Sequence, residues 1–195
     1  MQTRDSLRNL IRQRRQGLSA SERLQASQGL AEHLMRLDEL APRARVAGYW
    51  ATGGEISLHA WLIQRPDIAF FLPCLQPGRM LRFAAWRVGD PLQINRFGIP
   101  EPDVERALQC DARQVGVILV PLLGFDRHGA RLGMGGGYYD RTCAFRRQHA
   151  VPPLLVGVAY HWQEQDQLPA EEWDVPMDVI ATDRELIRVA SSHQR

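Results

Sequence analysis

Residues 115–122, VGVILVPL, limit the possible folds of this chain more than any other segment. A continuous apolar run of this length is typical of a β-strand that is buried on both faces. Residues 68–74 (IAFFLPC) and 154–160 (LLVGVAY) have the same character. A sheet built from such strands needs covering layers on both sides, and it is usually parallel.

Helical patterns alternate with these strands, which predicts the fold class. We predict helices over residues 3–16, 19–37, 58–64 and 137–149, and further strands over 45–51, 80–88 and 178–182. A proline-rich loop is expected at 96–102, and a frayed tail at 191–195. The pattern predicts an α/β protein, a three-layer α/β/α sandwich with a mainly parallel, Rossmann-like sheet, in which residues 1–195 form a single domain. The N-terminal helices are expected on one face of the sheet, and ligands at the carboxyl ends of the strands.

The stretch that follows residues 115–122 is unusually rich in glycine. Residues 133–137 read GMGGG and lead into the predicted helix over 137–149. Glycine weakens ordinary helices and strands, so this density indicates a close approach of backbone to a ligand. Free N–H groups in such a turn suit a phosphate, and the guanidinium groups of Arg131 and Arg141 bracket it.

Composition narrows the phosphate chemistry. All 24 basic residues are arginine, so a Walker-A lysine and a Schiff-base lysine are excluded. The glycine stretch is also not a dinucleotide-binding motif, because Tyr138 stands where the last glycine of that motif would be.

The overall composition indicates the kind of partner and the location. The formal net charge of +2 gives no case for nucleic acid as a partner. No apolar run approaches the roughly 20 residues of a membrane span, and three widely spaced cysteines predict reduced thiols in a cytoplasmic protein.

Several side chains have two readings from sequence alone. Asp140 could hold Mg²⁺ beside phosphate oxygens, or simply complement the dipole of its helix. Glu55 could bind a ligand beyond a strand end, or be an ordinary exposed turn residue. Phe97 is either a lid or a core plug, with the plug as the default. The pair Tyr138 and Tyr139 could stack on a flat heterocycle or pack in the core.

Arginines recur on one stripe of the first predicted helix, at positions 4, 8, 12 and 15. For Arg12 and Arg15 we predict a solvated surface face. For Arg4 and Arg8 a solvated face and a ligand contact remain open.

The segment PLLGFDRHGARLGMGGGYYDR, residues 121–141, resembles the signature of the 5-formyltetrahydrofolate cyclo-ligase family, also called 5,10-methenyltetrahydrofolate synthetases. The N-terminal RDSLR, the turn over residues 49–55, the FGIPEP loop and the closing LPAEEWDVPMDVIATD are similar to family segments as well. The resemblance therefore spans nearly the whole chain. It implies conversion of 5-formyltetrahydrofolate to 5,10-methenyltetrahydrofolate with ATP as co-substrate and Mg²⁺ as cofactor, releasing ADP and phosphate. Reduced folate and ATP are the implied partners, and a monomer is expected.

Site residues follow from the same resemblance, position by position. The implied ATP-binding residues are Arg4, Arg8, Arg131, Leu132, Gly133, Met134, Gly135, Gly136, Gly137, Tyr138 and Tyr139. The implied folate-binding residues are Trp50, Glu55, Phe97 and Tyr139, with Glu55 gripping the pterin end. The resemblance implies Asp140 and Asp178 as Mg²⁺ ligands, and Arg131 and Tyr139 as catalytic residues.

The chain departs from the family pattern at one position. Many members carry lysine where this chain has Gly136, so one phosphate-binding charge is missing. We expect Arg131, Arg141 or an N-terminal arginine to compensate. The alternative is a folate-binding protein with lost or weak turnover. A third possibility, a sugar-phosphate isomerase or an acyl-transferase-like enzyme on a similar sheet, rests on fold class alone.

Overall fold

A computed structural model describes residues 3–149 and 151–190 of the chain. Its α-helices are α1 (Arg4–Gln16), α2 (Ala20–Leu34), α3 (His59–Gln64) and α4 (Tyr138–Thr142). Its strands are β1 (Arg45–Ala47), β2 (Ala69–Gln76), β3 (Met80–Ala85), β4 (Leu92–Ile94), β5 (Pro100–Pro102), β6 (Val117–Pro121), β7 (Gly124–Phe125), β8 (Arg131–Leu132), β9 (Leu154–Ala159), β10 (Val179–Thr182) and β11 (Leu186–Arg188). The predicted frayed tail, residues 191–195, lies outside the described residues. None of the helices in the described ranges is long and apolar enough to cross a bilayer.

A seven-stranded sheet in the order β11-β10-β9-β6-β1-β2-β3 forms the centre of the molecule. The five inner strands run parallel, and an antiparallel strand closes each edge. The apolar run around β6 lies at the middle of this order, and every residue from Val117 to Val120 is buried. The prediction of a mainly parallel α/β sheet is therefore confirmed.

Both faces of the sheet are covered, which explains why its inner strands are apolar on both sides. On one face α2 and α3 pack through Leu30, Leu34 and Trp61. On the other, the α4 segment packs through Cys143 and Phe145. The capping box of Ser19 and Glu22 begins α2 as the sequence predicts.

Helix α1 does not lie on a face of the sheet, contrary to the prediction. Its residue Ile11 packs with Leu123, Leu132 and Leu168 in a separate small cluster. Residues 122–132 immediately follow β6, so this cluster lies at the carboxyl end of the sheet. The N-terminal helix is thereby placed where ligands bind in open α/β sheets.

The predicted helix over 137–149 is much shorter in the structure. Helix α4 ends at Thr142, and a 3-10 turn, Ala144–Arg147, follows it. Tertiary contacts explain the break, because the Thr142 hydroxyl accepts a hydrogen bond from the backbone of Leu81 and Arg146 is bound to Asp178. The predicted loop at 96–102 is partly the hairpin β4–β5, and the sequence patterns missed the edge strand β11.

Three neighbouring strands, β9, β6 and β1, end at the same edge of the sheet. Residues 48–55 follow β1, residues 122–137 follow β6, and Tyr160 follows β9. These segments are distant in sequence, yet the parallel register places them side by side. The candidate site is built from them.

Candidate active site

The glycine-rich stretch forms a turn whose backbone donors are free. It leaves the hairpin β7–β8 and enters α4, with left-handed backbone at Gly135 (φ 90°) and Gly137 (φ 67°). Within the described ranges, the N–H groups of residues 133–137 donate to no backbone or side-chain acceptor. Consecutive unpaired N–H groups of this kind form a concave anion-binding surface. We call residues 133–137 the glycine turn.

Arginines flank the glycine turn on two sides. Arg8 of α1 donates from Nε to the carbonyl of Gly133 at 3.0 Å. Arg141 of α4 donates from Nη1 to the carbonyls of Gly136 (3.0 Å) and Gly137 (3.1 Å). These bonds occupy the carbonyls of Gly133, Gly136 and Gly137, and they bring positive charge to the turn.

Arg131 and Asp140 form a buried ion pair beside the turn. Arg131 Nη2 donates to Asp140 Oδ1 at 2.6 Å, and Arg131 Nη1 donates to the carbonyl of Val175 at 2.6 Å. The same Oδ1 accepts the Val175 N–H at 3.1 Å. In the described part of the chain, Asp140 Oδ2 accepts no hydrogen bond, so this oxygen is available to a ligand.

A cleft of about 260 Å³ opens beside the glycine turn. Its lining comprises Gly135, Gly137, Asp140, Arg141, Ala144, Arg147 and Trp173. The ring of Trp173 is 61% exposed, an unusual state for a large aromatic side chain. The segment that carries it is fixed from two sides, since Arg4 pairs with Asp174 at 3.1 Å and Arg147 donates to the carbonyl of Glu172.

A larger cavity, of about 410 Å³, includes Arg131 in its wall. The other residues that line it come from the segments 126–130, 167–170 and 174–176, and none belongs to the glycine turn. The carboxylate of Asp126 on its wall is saturated by the N–H groups of His128, Ala130 and Leu168. The smaller cleft is therefore the one in which free backbone donors, cations and a free carboxylate oxygen meet.

Glu55 is the last residue of a second turn, residues 52–55 after β1, which we call the Glu55 turn. Its side chain is only 11% exposed. Its Oε2 accepts the Thr52 N–H at 3.0 Å, and its Oε1 lies 3.8 Å from Arg15 Nη1. Burial raises the pKa of Glu55, while Thr52 and Arg15 act against that rise. The reading of Glu55 as an ordinary exposed turn residue is thus wrong.

Tyr139 lies in the first turn of α4, directly after the glycine turn. Burial is the main cause of its raised pKa, the charge of Glu55 adds to the rise, and the cation of Arg131 opposes it. The Tyr139 side chain is therefore subject to the charges of both Glu55 and Arg131.

The other aromatic residues lie around this arrangement. Phe97 is exposed and packs edge-on against Tyr138, whose hydroxyl accepts a hydrogen bond from Arg96 at 2.6 Å. The default interpretation of Phe97 as a core plug is therefore wrong. Trp50 follows β1 and packs edge-to-face against Trp86, with 5.8 Å between the ring centroids.

The remaining residues of the implied ATP set differ in exposure. Met134 is exposed at the tip of the turn, whereas the Leu132 side chain is buried under α1. Leu132 can therefore face a ligand only through its backbone. Arg4 is tied to Asp174 and reaches the site through the segment that carries Trp173.

Asp178 is not placed with Asp140. Its two oxygens accept hydrogen bonds from Arg146 Nη2 at 2.7 and 2.8 Å, and Oδ2 also accepts the Leu155 N–H at 2.7 Å. Asp178 directly precedes β10, so it lies at the amino end of a strand, the opposite edge from Glu55. In this structure its carboxylate joins the 3-10 turn after α4 to the sheet.

Sequence reasoning missed two residues of the site. Arg15, predicted to be solvated, is only 2% exposed because its side chain enters the Glu55 turn. That prediction was wrong, and no local pattern distinguishes Arg15 from its neighbours on the stripe. Trp173 could have been found from its position beside charged residues in a proline-rich loop.

A mainly parallel α/β sheet with a turn of free N–H groups and a carboxylate beyond the carboxyl ends of its strands belongs to the class of open α/β proteins, which bind ligands at this edge. Comparison with known proteins gives the particular family. The sequence model that describes the 5-formyltetrahydrofolate cyclo-ligase family matches residues 1–183 of this chain. The chain belongs to this family of enzymes.

Individual relatives agree with the family match. The 5-formyltetrahydrofolate cyclo-ligase of Haemophilus influenzae is 35% identical over 182 residues, covering 90% of this chain and 95% of the relative. The Escherichia coli K12 protein of the same name is 33% identical, with coverage of 89% and 96%. The NMR structure of Aquifex aeolicus 5,10-methenyltetrahydrofolate synthetase superposes with a TM-score of 0.82 at 31% identity, covering 98% of this chain and 95% of that one.

Proposed function

We propose that this protein converts 5-formyltetrahydrofolate to 5,10-methenyltetrahydrofolate, using ATP and Mg²⁺ and releasing ADP and phosphate. The observation that carries the proposal is that one edge of the sheet holds a site with two halves, the free N–H groups of residues 133–137 in one and the carboxylate of Glu55 in the other. The half with the free N–H groups suits the triphosphate of ATP, and the half with Glu55 suits a ring that carries N–H donors. The phosphoryl group is transferred from ATP to the folate where the two halves meet.

The chemistry proceeds in two steps. The formyl oxygen attacks the γ-phosphorus of ATP, the bond to the ADP oxygen breaks, and an iminium phosphate forms on the folate. N10 then attacks the activated carbon and loses its proton to solvent, the carbon–oxygen bond breaks, and phosphate leaves as the ring closes. Such transfers depend mainly on positioning and on electrostatic stabilisation.

Each half of the site has a distinct task. The free N–H groups of the glycine turn and the cations of Arg8 and Arg141 hold the triphosphate. The ionised carboxylate of Glu55 accepts hydrogen bonds from the pterin N–H groups. The aromatic rings of Trp50, Phe97 and Tyr139 border the folate.

The residues present fit a magnesium ion. Mg²⁺ is usually held by one or two carboxylates together with substrate phosphates, and Asp140 Oδ2 is free beside the turn. Within the described residues, no group of three or more histidine, cysteine, aspartate or glutamate side chains is placed to hold a metal ion. When bound, the ion offsets negative charge on the phosphate oxygens. Arg131 already uses two nitrogens on Asp140 and Val175, so we propose that it orients the metal carboxylate.

The direct test is spectroscopic. Purified protein incubated with 5-formyltetrahydrofolate, ATP and Mg²⁺ should show rising ultraviolet absorbance from the methenyl product. ADP should appear in equal amount. Absence of the signal at every ATP concentration, in a protein that is folded, would contradict the proposal.

Asp178 offers a prediction of its own. Asp178→Asn should lower stability by about 1.5–3 kcal/mol, the usual loss for hydrogen bonds to a charged group, because Arg146 and Leu155 lose a charged acceptor. The dependence of turnover on Mg²⁺ concentration should not change. Thermal unfolding and a Mg²⁺ titration measure the two quantities. A weaker apparent Mg²⁺ affinity with normal stability would instead support Asp178 as the second metal ligand.

Gly136 distinguishes the enzyme from the alternative, a folate-binding protein with lost turnover. A Cβ atom added at Gly136 would lie 2.9 Å from the Tyr138 ring, which is held by Arg96 and Phe97. We therefore expect Gly136→Lys to lower turnover, with Gly136→Ala as the control for crowding alone. Single-turnover rates and ATP titrations measure both. A lysine variant that is much faster than wild type would favour the alternative, since it would show that the missing charge limits catalysis.

The expectations on assembly and location remain proposals. We propose that residues 1–195 form one domain, which acts as a monomer in the cytoplasm. Three buried cysteines without disulfide partners, Cys74, Cys110 and Cys143, support a reducing environment.

A further inference from the structure

Arg15 is a buried cation that the proposed reaction does not use directly. It lies in the last turn of α1, and burial lowers its pKa. An unpaired buried charge is costly, so such groups persist where partners compensate for the loss of water. The partners of Arg15 all belong to the turn that carries Glu55.

The contacts of Arg15 fix the backbone of that turn. Its Nε donates to the carbonyl of Gly53 at 2.9 Å. Gly54 packs against the helix so closely that an added Cβ would lie 2.8 Å from the Arg15 carbonyl oxygen. The carbonyl of Gly54 accepts a hydrogen bond from the Tyr160 hydroxyl at 3.1 Å. The turn is therefore held by α1 on one side and by the end of β9 on the other.

The groups that face Glu55 differ in charge. The charge of Glu55 contributes to the raised pKa of Tyr49, Tyr139 and Tyr160, all neutral groups, whereas Arg15 is a cation 3.8 Å from its carboxylate. Desolvation favours the protonated acid and raises the pKa of Glu55, and the cation of Arg15 acts against that rise. Thr52 supports the same state through its N–H.

Helix α1 also links this turn to the phosphate side. Arg8, about two helical turns before Arg15, donates to the carbonyl of Gly133. One rigid helix thus contacts both the glycine turn and the Glu55 turn. The two contacts set the separation between the halves of the site.

We infer that Arg15 is a positioning residue for folate binding, which directs Glu55 toward the pterin ring and keeps its carboxylate ionised. The inference rests on the proposed function, in which Glu55 binds the folate. Arg15 does not touch the substrate, and its effect passes through Glu55 and the Gly53 carbonyl.

Arg15→Gln tests the charge, because glutamine can still donate to the Gly53 carbonyl. The dissociation constant of 5-formyltetrahydrofolate, measured by calorimetry without ATP, should rise about tenfold at neutral pH, the factor that corresponds to one pKa unit. The loss of affinity on acidification should begin at higher pH than in wild type, since the Glu55 pKa is no longer held down. Arg15→Lys keeps the charge and should keep the wild-type pH profile. Arg14→Gln, which removes a cation from the same helix where it stacks on Trp162, is the matched control.

A double-mutant cycle separates positioning from a purely structural effect. Arg15→Gln should weaken folate binding far less when Glu55→Gln is already present. An equal loss in both backgrounds, or an unchanged pH profile, overturns the inference. If Arg15→Gln does not fold, the test uses Arg15→Lys, and a pH profile of folate affinity that is displaced to higher pH overturns the inference.

The failure of this inference can be told from the failure of the proposed function. If Glu55→Gln alone binds folate like wild type, the proposed role of Glu55 fails. If Glu55→Gln binds folate weakly while Arg15→Gln binds it normally, only the role of Arg15 fails.

Discussion

Replacing Asp140 with asparagine is expected to reduce turnover by about a hundredfold or more, the scale of losing one electrostatic contact to a transferring group. The structure makes this substitution unusually selective. Oδ1 of Asp140 accepts from Arg131 and Val175, whereas Oδ2 is free within the described residues. An asparagine can keep its carbonyl oxygen toward those two donors and place its NH₂ group where Oδ2 stood. The fold is thus retained while the anionic ligand is lost.

The measurement is the rate of methenyl product formation as a function of Mg²⁺ concentration. The Asp140→Asn curve should shift to higher Mg²⁺ concentration and to a lower maximum. Asp174→Asn is a suitable control, because Asp174 is a nearby carboxylate that pairs with Arg4. A Mg²⁺ dependence equal to wild type in the Asp140 variant would remove Asp140 from the metal site.

The second large effect is expected at Glu55. Glu55→Gln should weaken 5-formyltetrahydrofolate binding by about tenfold to a hundredfold, because each hydrogen bond to a charged group contributes about 1.5–3 kcal/mol. The glutamine carbonyl can still accept the Thr52 N–H. Its NH₂ group then faces the Arg15 guanidinium, and neither of these donors can accept a hydrogen bond from the pterin N–H groups.

Binding of each ligand should be measured separately, with folate and ATP titrated in turn. ATP affinity should stay close to wild type, since the glycine turn and its arginines are unchanged. Thr52→Ala gives a comparison in the same turn, because it keeps the carboxylate and the Thr52 N–H and removes only the hydroxyl, the weakest influence on the Glu55 pKa; its effect on folate binding should be smaller. Equal losses for both ligands would move Glu55 out of the folate half of the site.

The sequence predicts the sheet and the glycine turn because the patterns that indicate them lie within short segments. An apolar run such as residues 115–122 can be satisfied only between two layers, and glycine density indicates special backbone. The ends of helices are harder to predict from the sequence, because contacts with distant segments decide where a helix stops. The helix over 137–149 is interrupted because Thr142 and Arg146 are bound to distant segments.

Charged side chains were the hardest to predict, since their partners are remote in sequence. Arg15 looks like the surface arginines beside it, and its burial depends on Gly53 and Glu55 after β1. The family resemblance predicts Asp178 as a metal ligand, whereas in the structure its oxygens accept hydrogen bonds from Arg146 and Leu155. Only the tertiary structure shows which charges are paired and which remain free.

The pairing of β1 with β6 and of β6 with β9 has a thermodynamic consequence for ligand binding. Val46 pairs with Val117, and Val117 with Leu154, so segments far apart in the chain meet in the middle of the sheet. Neither half of the site exists until those pairings form, because each half follows one of these strands. A ligand that binds only the folded protein adds its binding free energy to that of unfolding. Folate or ATP alone should therefore slow amide exchange across the whole central sheet, not merely in the loops it touches.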